Sequence, residues 1–259
     1  MGMNRAAKCA WVLVLMLAMS PGRAADLSAE QVRAILAASE PDRPANLSRR
    51  SLENLDLSNV DFKHANLFGA NLYGAKLDGA NLSGANLSWA KLDLAWIMRA
   101  NFTKANLSNA SLFGPVVSSG LDTSPAEAPV FRGANFSGAR VIARFSRFDL
   151  RGANFTDAKM GADMKNQSMG LMRTDLSGAD LTGANFTNAD LGRALMRFAK
   201  LTGADLSGAK LIGVDLSGAD LTEADLTGAD LTEADLGGAV FSDVRGLDTA
   251  KGVRPPKKP

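Results

Sequence analysis

The stretch ANLFG-ANLYG-AKLDG, residues 65–79, repeats one five-residue pattern three times. Outward from this stretch, Leu, Phe or Ile stands at every fifth position from Leu47 to Leu112. A second unbroken run, with Leu, Phe or Met at the central position, extends from Leu176 to Phe241, and each run holds 14 units. Internal repetition of this strength predicts a repeat architecture before any local propensity is considered.

A period of five suits neither regular secondary structure. On an α-helix, five steps of about 100° would rotate successive central residues by roughly 140°, so they would scatter around the cylinder. In a flat strand, the odd spacing would send them to opposite faces. Only a chain that turns once in each unit brings every central side chain into one core. The other positions agree with this, because they hold Ala and the turn formers Asn, Asp, Ser, Thr and Gly.

The pattern Ala-(Asp/Asn)-Leu-X-X resembles the motif of the pentapeptide-repeat family, and it covers about 36 units between Ala45 and Phe241. The resemblance implies an all-β fold, a right-handed quadrilateral parallel β-helix with four units per coil. In this fold the central residue and the Ala point inward. Nine coils at about 4.8 Å each would make a rod roughly 43 Å long.

The first 24 residues predict a secretory signal peptide. A short basic start precedes an apolar run at 9–19 that is too short for a stable membrane span, and small residues follow at 22–24. The exported, periplasmic protein would then contain no membrane span. An uncleaved N-terminal anchor is the alternative.

The remaining segments divide the chain around the repeats. Ser28 and Gln31 have the spacing of a capping box, and Val32, Ile35 and Leu36 share one face of a short helix. This helix is expected to cap the first coil, although it would also suit a binding partner. The expected divisions are an N-terminal capping helix and linker at 25–44, the repeat domain at 45–243 with a loop at 115–129 and an irregular segment at 161–173, and a C-terminal cap with a basic disordered tail at 244–259.

Composition argues against several functional classes. Cys9, the single cysteine, lies in the signal segment, and His64 is the single histidine. Metal sites and acid–base catalysis depend on clusters of such residues, so we expect no enzyme activity, no metal and no cofactor. Residues 25–259 hold 26 basic and 27 acidic side chains, a balance that argues against general nucleic-acid binding.

Outward-facing aromatic residues predict a binding patch in the N-terminal half. Aromatic side chains on a polar surface are typical of protein contacts. The candidates for contact with a partner protein, or with a second copy in a homo-oligomer, are Phe68, Tyr73, Trp89, Trp96 and Phe113. The alternative is that they lie beneath the loop or the cap.

Charge is divided along the repeat domain. Residues 130–173 carry a net charge of +5, whereas residues 174–243 carry −8. The basic cluster predicts a site for a phosphate, an anionic polymer or an acidic partner, formed by Arg140, Arg144, Arg147 and Arg151. The alternative is that these arginines are simply solvated.

Four units per coil would stack residues 20 positions apart. The Asn residues at 46, 66, 86 and 106 would then form a hydrogen-bonded ladder. Lys200 and Lys210 would each lie between two aspartates and relieve their repulsion.

The leading functional hypothesis is a non-catalytic, exported scaffold or protein-binding module that presents a rigid repeat surface. The alternative comes from the family, because some pentapeptide-repeat proteins resemble B-DNA in width and charge and bind DNA gyrase. The signal peptide argues against this alternative, since export would separate the protein from gyrase.

Overall fold

A computed structural model describes residues 25–40, 42–119, 124, 126–162 and 172–253. The regular elements are one helix and two short strands, α1 (Ala29–Ala37), β1 (Ser111–Phe113) and β2 (Arg140–Ile142). Strands β1 and β2 pair in parallel. The predicted signal peptide lies outside the described residues, as do residues 254–259 of the predicted tail.

Most of the chain forms a solenoid in which each five-residue unit contributes one backbone bridge to the coil before it and one to the coil after it. The bridges are parallel, and in the regular parts they join residues 20 positions apart, for example Asn46 with Asn66. Four units therefore make one coil. The bridges form four ladders: A from Asn46 to Arg245, B from Ser51 to Lys251, C from Asp56 to Val116 and from Arg144 to Asp235, and D from Asp61 to Val240.

A tight turn closes every unit. In the unit around Leu67, the backbone N–H of Ala70 donates to the carbonyl of Leu67 at 3.0 Å. The residue just before that Ala, Gly69, has a φ of +60°. The next coil repeats this geometry with Trp89 at +61°. This left-handed conformation turns the chain toward the next ladder, and it explains why Gly recurs at that position. Each turn is named below by the two ladders that it joins.

The central side chains and the alanines fill a continuous core. Both are fully or almost fully buried from the first coil to Leu231. In the middle of the solenoid the core becomes aromatic, and the rings of Phe136 and Phe186 stack on either side of Phe155, each at 4.8 Å between centroids. A single core therefore connects the two regular runs.

The register shows where the regular repeat is interrupted. Asn101 bridges Val130 across 29 positions, nine more than a regular coil. Val116 still bridges Trp96, and both Pro115 and Pro129 are buried. The predicted loop at 115–129 is therefore shorter than expected, because its two ends belong to the coils.

Two further irregularities follow. The bridge from Asn135 to Asn154 spans 19 positions, so this coil has lost one residue, as the sequence indicates. Arg144 bridges Asp175 across 31 positions, eleven more than a regular coil. Of the predicted irregular segment at 161–173, residues 163–171 lie outside the described residues.

The N-terminal segment packs against the first coil. Helix α1 begins with the predicted capping box, in which Ser28 and Gln31 bond each other's backbone N–H. Val32 is fully buried in the core cluster. In addition, a carboxylate oxygen of Asp26 accepts the backbone N–H of Ser51 at 2.9 Å. This contact satisfies the backbone N–H of Ser51, which has no preceding coil to pair with.

At the C-terminal end, the ladders continue past the predicted boundary at residue 243. Arg245 bridges Asp225, and Lys251 bridges Asp230. Val244 and Leu247, predicted to cover the last coil, are half-buried and pack against the core. The predicted cap at 244–259 is therefore in part a continuation of the coil.

Candidate binding surfaces

Three large apolar residues occupy the left-handed position of a turn, where Gly or Asn is common. They are Trp89 in an A–B turn, Leu94 in a B–C turn and Phe198 in a C–D turn, with φ between +53° and +61°. Their exposed fractions are 59%, 41% and 71%, respectively. A bulky side chain in this conformation is strained, and the Trp89 and Phe198 rings remain mostly exposed. Sequence analysis missed Leu94 and Phe198, although each breaks the small or polar pattern at its position.

The five predicted aromatic residues fall into two groups. Phe68 and Trp89 belong to A–B turns of successive coils, and the guanidinium of Arg49 lies over the Phe68 ring at 5.5 Å from its centroid. Phe68 is consequently half-buried, whereas Trp89 projects into solvent. Trp89 is therefore the exposed member of this pair.

The second group lies where ladder B turns into ladder C, and we name it the B–C ridge. Its members are Tyr73, Leu94, Trp96, Phe113 and Val116. Tyr73 and Trp96 are 40% and 41% exposed, whereas Phe113 and Val116 are half-buried. Arg140 covers one side of Phe113, with its guanidinium 5.2 Å from the ring centroid. Residues 120–123 and 125 of the predicted loop lie outside the described residues, so the alternative that the loop covers these rings stays a prediction.

The four predicted arginines do not share one surface. Arg140 lies on ladder B, Arg144 on ladder C, Arg147 in a C–D turn and Arg151 in a D–A turn. A chain that turns every five residues sends sequence neighbours to different sides. The adjacent rings, Phe145 and Phe148, are fully buried and cannot contribute to a surface site.

Arg151 is also partly neutralised. Its guanidinium pairs with Asp149 at 2.8 Å, and Arg132 pairs with the same carboxylate at 2.7 Å. Arg144 and Arg147, which are adjacent on ladder C and its turn, are exposed. They are the members of the cluster that remain best placed to meet an anion.

The C-terminal half carries the predicted charge stacks. The backbone of Lys200 pairs with those of Asp180 and Asp220, and the backbone of Lys210 pairs with those of Asp190 and Asp230. This register confirms that each lysine lies between two aspartates. Asp205 stacks on Asp225, and Asp215 stacks on Asp235. Arg245 pairs with Asp225 at 3.4 Å, and Arg197 pairs with Asp215. The acidic surface is therefore interrupted by bases.

Polar ladder side chains stabilise the turns of both halves. In the N-terminal half, Asn66 accepts the backbone N–H of Phe68 at 3.1 Å and donates its amide to Asn46 at 3.4 Å, as expected for the Asn ladder. In the C-terminal half, Asp220 accepts both the hydroxyl and the N–H of Thr222, at 2.6 and 3.0 Å. These bonds hold the pKa of the Asp220 carboxyl below its ordinary value.

We expect the solenoid to lose stability in acid. Hydrogen bonds from Thr222, Thr227 and Thr232 lower the pKa values of Asp220, Asp225 and Asp230, respectively. Because the folded pKa values are depressed, this stabilisation is present above the ordinary Asp pKa of 3.8 and is lost as the pH falls through the folded values. Thermal unfolding followed by circular dichroism as a function of pH measures the effect.

Asparagine substitutions at these three aspartates provide the control. Asn185 accepts the hydroxyl and N–H of Thr187 at 2.7 and 2.8 Å, so Asn preserves the turn without a titrating group. The triple Asp→Asn variant should therefore show a weaker loss of Tm in acid. An unchanged pH profile would contradict this assignment of the acid sensitivity.

In the described ranges, no three His, Cys, Asp or Glu side chains are arranged to hold a metal ion. Among the described residues, no helix is long and apolar enough to cross a membrane.

Comparison with known proteins gives the family. The pentapeptide-repeat model matches residues 45–84, 80–114, 174–211 and 204–243, which together make up more than half of the chain. No curated protein sequence matches significantly.

Similar solved structures include the following three. HetL, a pentapeptide repeat protein involved in heterocyst differentiation regulation in Nostoc sp. strain PCC 7120, is 29% identical, with 86% of this chain and 96% of HetL covered and a TM-score of 0.36. Full-length QnrB1, a plasmid-mediated fluoroquinolone resistance protein, is 19% identical, with coverages of 72% and 89% and a TM-score of 0.32. A thylakoid-lumen protein of Arabidopsis thaliana is 24% identical, with coverages of 59% and 76% and a TM-score of 0.20. The repeats, their register and the matched family model together lead to one conclusion: the chain belongs to the pentapeptide-repeat family.

Proposed function

We propose that the protein is an exported, non-catalytic binding module that holds a protein partner on its repeat surface. Export to the periplasm rests on the signal-like residues 1–24. The ladders fix side chains at regular intervals, so little conformational entropy is lost when a partner binds. The protein acts by display rather than by chemistry.

The apolar side chains at left-handed turn positions carry this proposal. A residue in such a conformation costs on the order of 1–3 kcal/mol, a cost that Gly avoids. Trp89 and Phe198 combine this strain with 59% and 71% exposure, so much of each ring faces solvent in the described structure. Exposed aromatic anchors of this kind are typical of binding hot spots. Contact with a partner protein would bury these rings and so offset the cost of their strained backbone conformation.

We further propose the family architecture for the fold, a right-handed, four-sided coil whose first turn is capped by α1. The 20-residue register supports four units per coil. Burial of Val32 and the bond from Ser51 to Asp26 support the cap. A covered first edge also protects the ladder against pairing with another chain.

Binding to gyrase as a DNA mimic has less support. A mimic of the duplex needs a continuous acidic surface, whereas Lys200 and Lys210 alternate with aspartates in ladders D and B. Export would also separate the two proteins. Recovery of gyrase as the partner of a full-length, cytosolic product would favour this second function.

The test uses the variants Trp89→Gly and Phe198→Gly as bait in pull-downs from a periplasmic extract. Because Gly relieves the backbone strain of about 1–3 kcal/mol, any stability lost with the partly buried ring should be offset, and the free energy of unfolding should not fall. Recovery of the partner should fall. Recovery of an untagged second copy would identify the partner as the protein itself.

Asn109→Gly is the matched control. Asn109 occupies the same turn position one coil after Trp89, with a φ of +56°, but it has no aromatic ring. This variant should retain the partner. Full recovery with both aromatic variants would overturn the role of the projecting rings.

A further inference from the structure

The C-terminal end of the solenoid is open, because the described residues form no coil beyond the last one. In a regular coil the central residue donates its backbone N–H to the following coil, as Leu216 does to the carbonyl of Asp235 at 2.8 Å. The structure describes no such bond for the N–H of Leu236 or Phe241. Their side chains are half-buried, whereas the central residues of the preceding coil are fully or almost fully buried. The end therefore presents backbone donors around an apolar centre.

The surface around this end is acidic. The last two coils, residues 215–253, contain nine acidic side chains and two basic ones, a net charge of −7. The net charge is still −5 when the coil before them, residues 195–214, is included. One of the two bases, Arg245, already pairs with Asp225 at 3.4 Å. Two such ends would repel each other, so a second copy is poorly suited to cover this one.

Residues 254–259, the segment that follows, have the complementary chemistry. The segment contains three basic side chains, three prolines and no acidic residue. Proline contributes a carbonyl acceptor but no N–H donor. The segment can therefore accept the N–H groups of Leu236 and Phe241 without offering another chain a row of donors to continue the ladder.

The segment is also long enough to cross the end. Lys251 is the last residue of ladder B, and Val253 packs half-buried against the core. Six further residues in the extended form that proline favours would span roughly 19 Å, at about 3.1 Å each. A coil of 20 residues has sides of at most about 18 Å, even if every residue were fully extended. A chain that leaves ladder B can therefore reach ladder D on the opposite side.

The N-terminal end shows how a flanking segment covers a coil. There the carboxylate of Asp26 accepts the N–H of Ser51 at 2.9 Å, and the guanidinium of Arg33 donates to the carbonyl of Asp56 at 3.3 Å. Residues that precede the first coil thus satisfy backbone groups that have no earlier coil to pair with.

We propose that residues 254–259 cross the C-terminal end of their own solenoid, from ladder B to ladder D, and keep rods from pairing end to end. The acidic rim holds the three basic side chains, and the proline rings cover the apolar centre. This control of assembly does not depend on the binding function proposed above.

Disulfide trapping tests this path, because residues 25–259 contain no cysteine. The experiment uses these residues, since α1, the ladders and the core cluster all form within residues 25–253. In the variant Val240→Cys with Lys258→Cys, the first thiol replaces a 46% exposed side chain at the end of ladder D. Mild oxidation should close a disulfide within one chain, seen as a loss of free thiols at the mass of the monomer.

Asn101→Cys with Lys258→Cys is the matched control. Asn101 lies on ladder D six bridges before Val240, about 29 Å away at roughly 4.8 Å per coil, and so beyond the reach of the segment. No disulfide should form within this chain. Disulfide-linked dimers of the Val240 variant would assign the end to a second copy, and free thiols in both variants would place the segment elsewhere. Either result, or equal closure in the control, would overturn the proposal.

Self-association provides a second readout. Deleting residues 254–259 should lower the concentration at which rods associate by about tenfold or more in sedimentation velocity. Added salt should favour association of this variant, because it screens the repulsion between acidic ends. Combined replacement of the three bases, Arg254→Gln, Lys257→Gln and Lys258→Gln, should have part of the same effect. Unchanged association of the deletion variant at every salt concentration would show that the segment covers nothing.

Discussion

Replacing Phe131 by Ala is expected to lower the free energy of unfolding by about 3–5 kcal/mol. The Phe131 ring is fully buried and lies 4.7 Å from Phe102, 5.1 Å from Phe145 and 5.3 Å from Phe136, measured between centroids. It also lies 6.4 Å from Phe148. Removing it leaves a cavity next to four rings, in the part of the solenoid where the repeat is least regular. Backbone ladders on either side limit how far the coil can collapse.

Equilibrium denaturation in urea, followed by circular dichroism, measures this loss. Phe186→Ala is the matched control, because Phe186 is equally buried but stacks on a single described ring, Phe155, at 4.8 Å. The unfolding free energy lost in Phe186→Ala should lie at the lower end of the same range. Equal losses in the two variants would show that the network around Phe131 adds nothing beyond the burial of one ring.

Thr174→Val is expected to lower the free energy of unfolding by about 1–3 kcal/mol. Thr174 is fully buried, and its hydroxyl oxygen lies 2.7 Å from the carbonyl of Val141 and 2.8 Å from that of Met160. Its own carbonyl accepts the N–H of Leu195 at 2.9 Å, so the residue marks the point at which the chain rejoins the coil. Valine keeps the shape but leaves two buried acceptors without this donor.

Thr182→Val provides the comparison in the same denaturation experiment. The Thr182 hydroxyl donates to Asp180 at 2.7 Å on an exposed turn, where water can replace it. Its loss should be well below that of Thr174→Val. If both variants unfold at the same urea concentration, the bridging role of Thr174 is wrong.

The repeat made much of the fold predictable from sequence. Since the period fixes the register, the Asn ladder and the lysines between aspartates followed directly, and Asn86 donates to Asn66 at 3.3 Å as expected. The capping box of Ser28 and Gln31 also formed, because it depends on local spacing alone. Such features need no knowledge of distant contacts.

Other features required the structure. Val116 and Val130 lack the repeat pattern, yet both pair in ladders, because the backbone donors and acceptors do not depend on the side chain. Phe148 occupies a position where the motif has Ala, so its burial against Phe145, at 5.3 Å, could not be expected from the motif.

The candidate surfaces were only partly predictable for the same physical reason. The sequence identifies aromatic and basic residues, but grouping them requires knowing which turn each occupies. Tyr73 and Phe113 belong to one ridge although they are 40 positions apart, whereas Arg147 and Arg151 lie on different turns. The importance of Phe198 depends on its backbone conformation, which the sequence does not display.

The jumps in register have a consequence for engineering. After the nine additional positions, Phe102 donates to the carbonyl of Val130 at 2.7 Å, a distance also found between Leu82 and Asn101 in an uninterrupted coil. The rod resumes at once, so the coils accommodate nine additional positions at this point, between Val116 and Val130. A small tag or reporter peptide inserted after Ser119 and before Ala126 leaves the bonds between Ser119 and Glu127 in place and should be displayed with the adjoining coils intact.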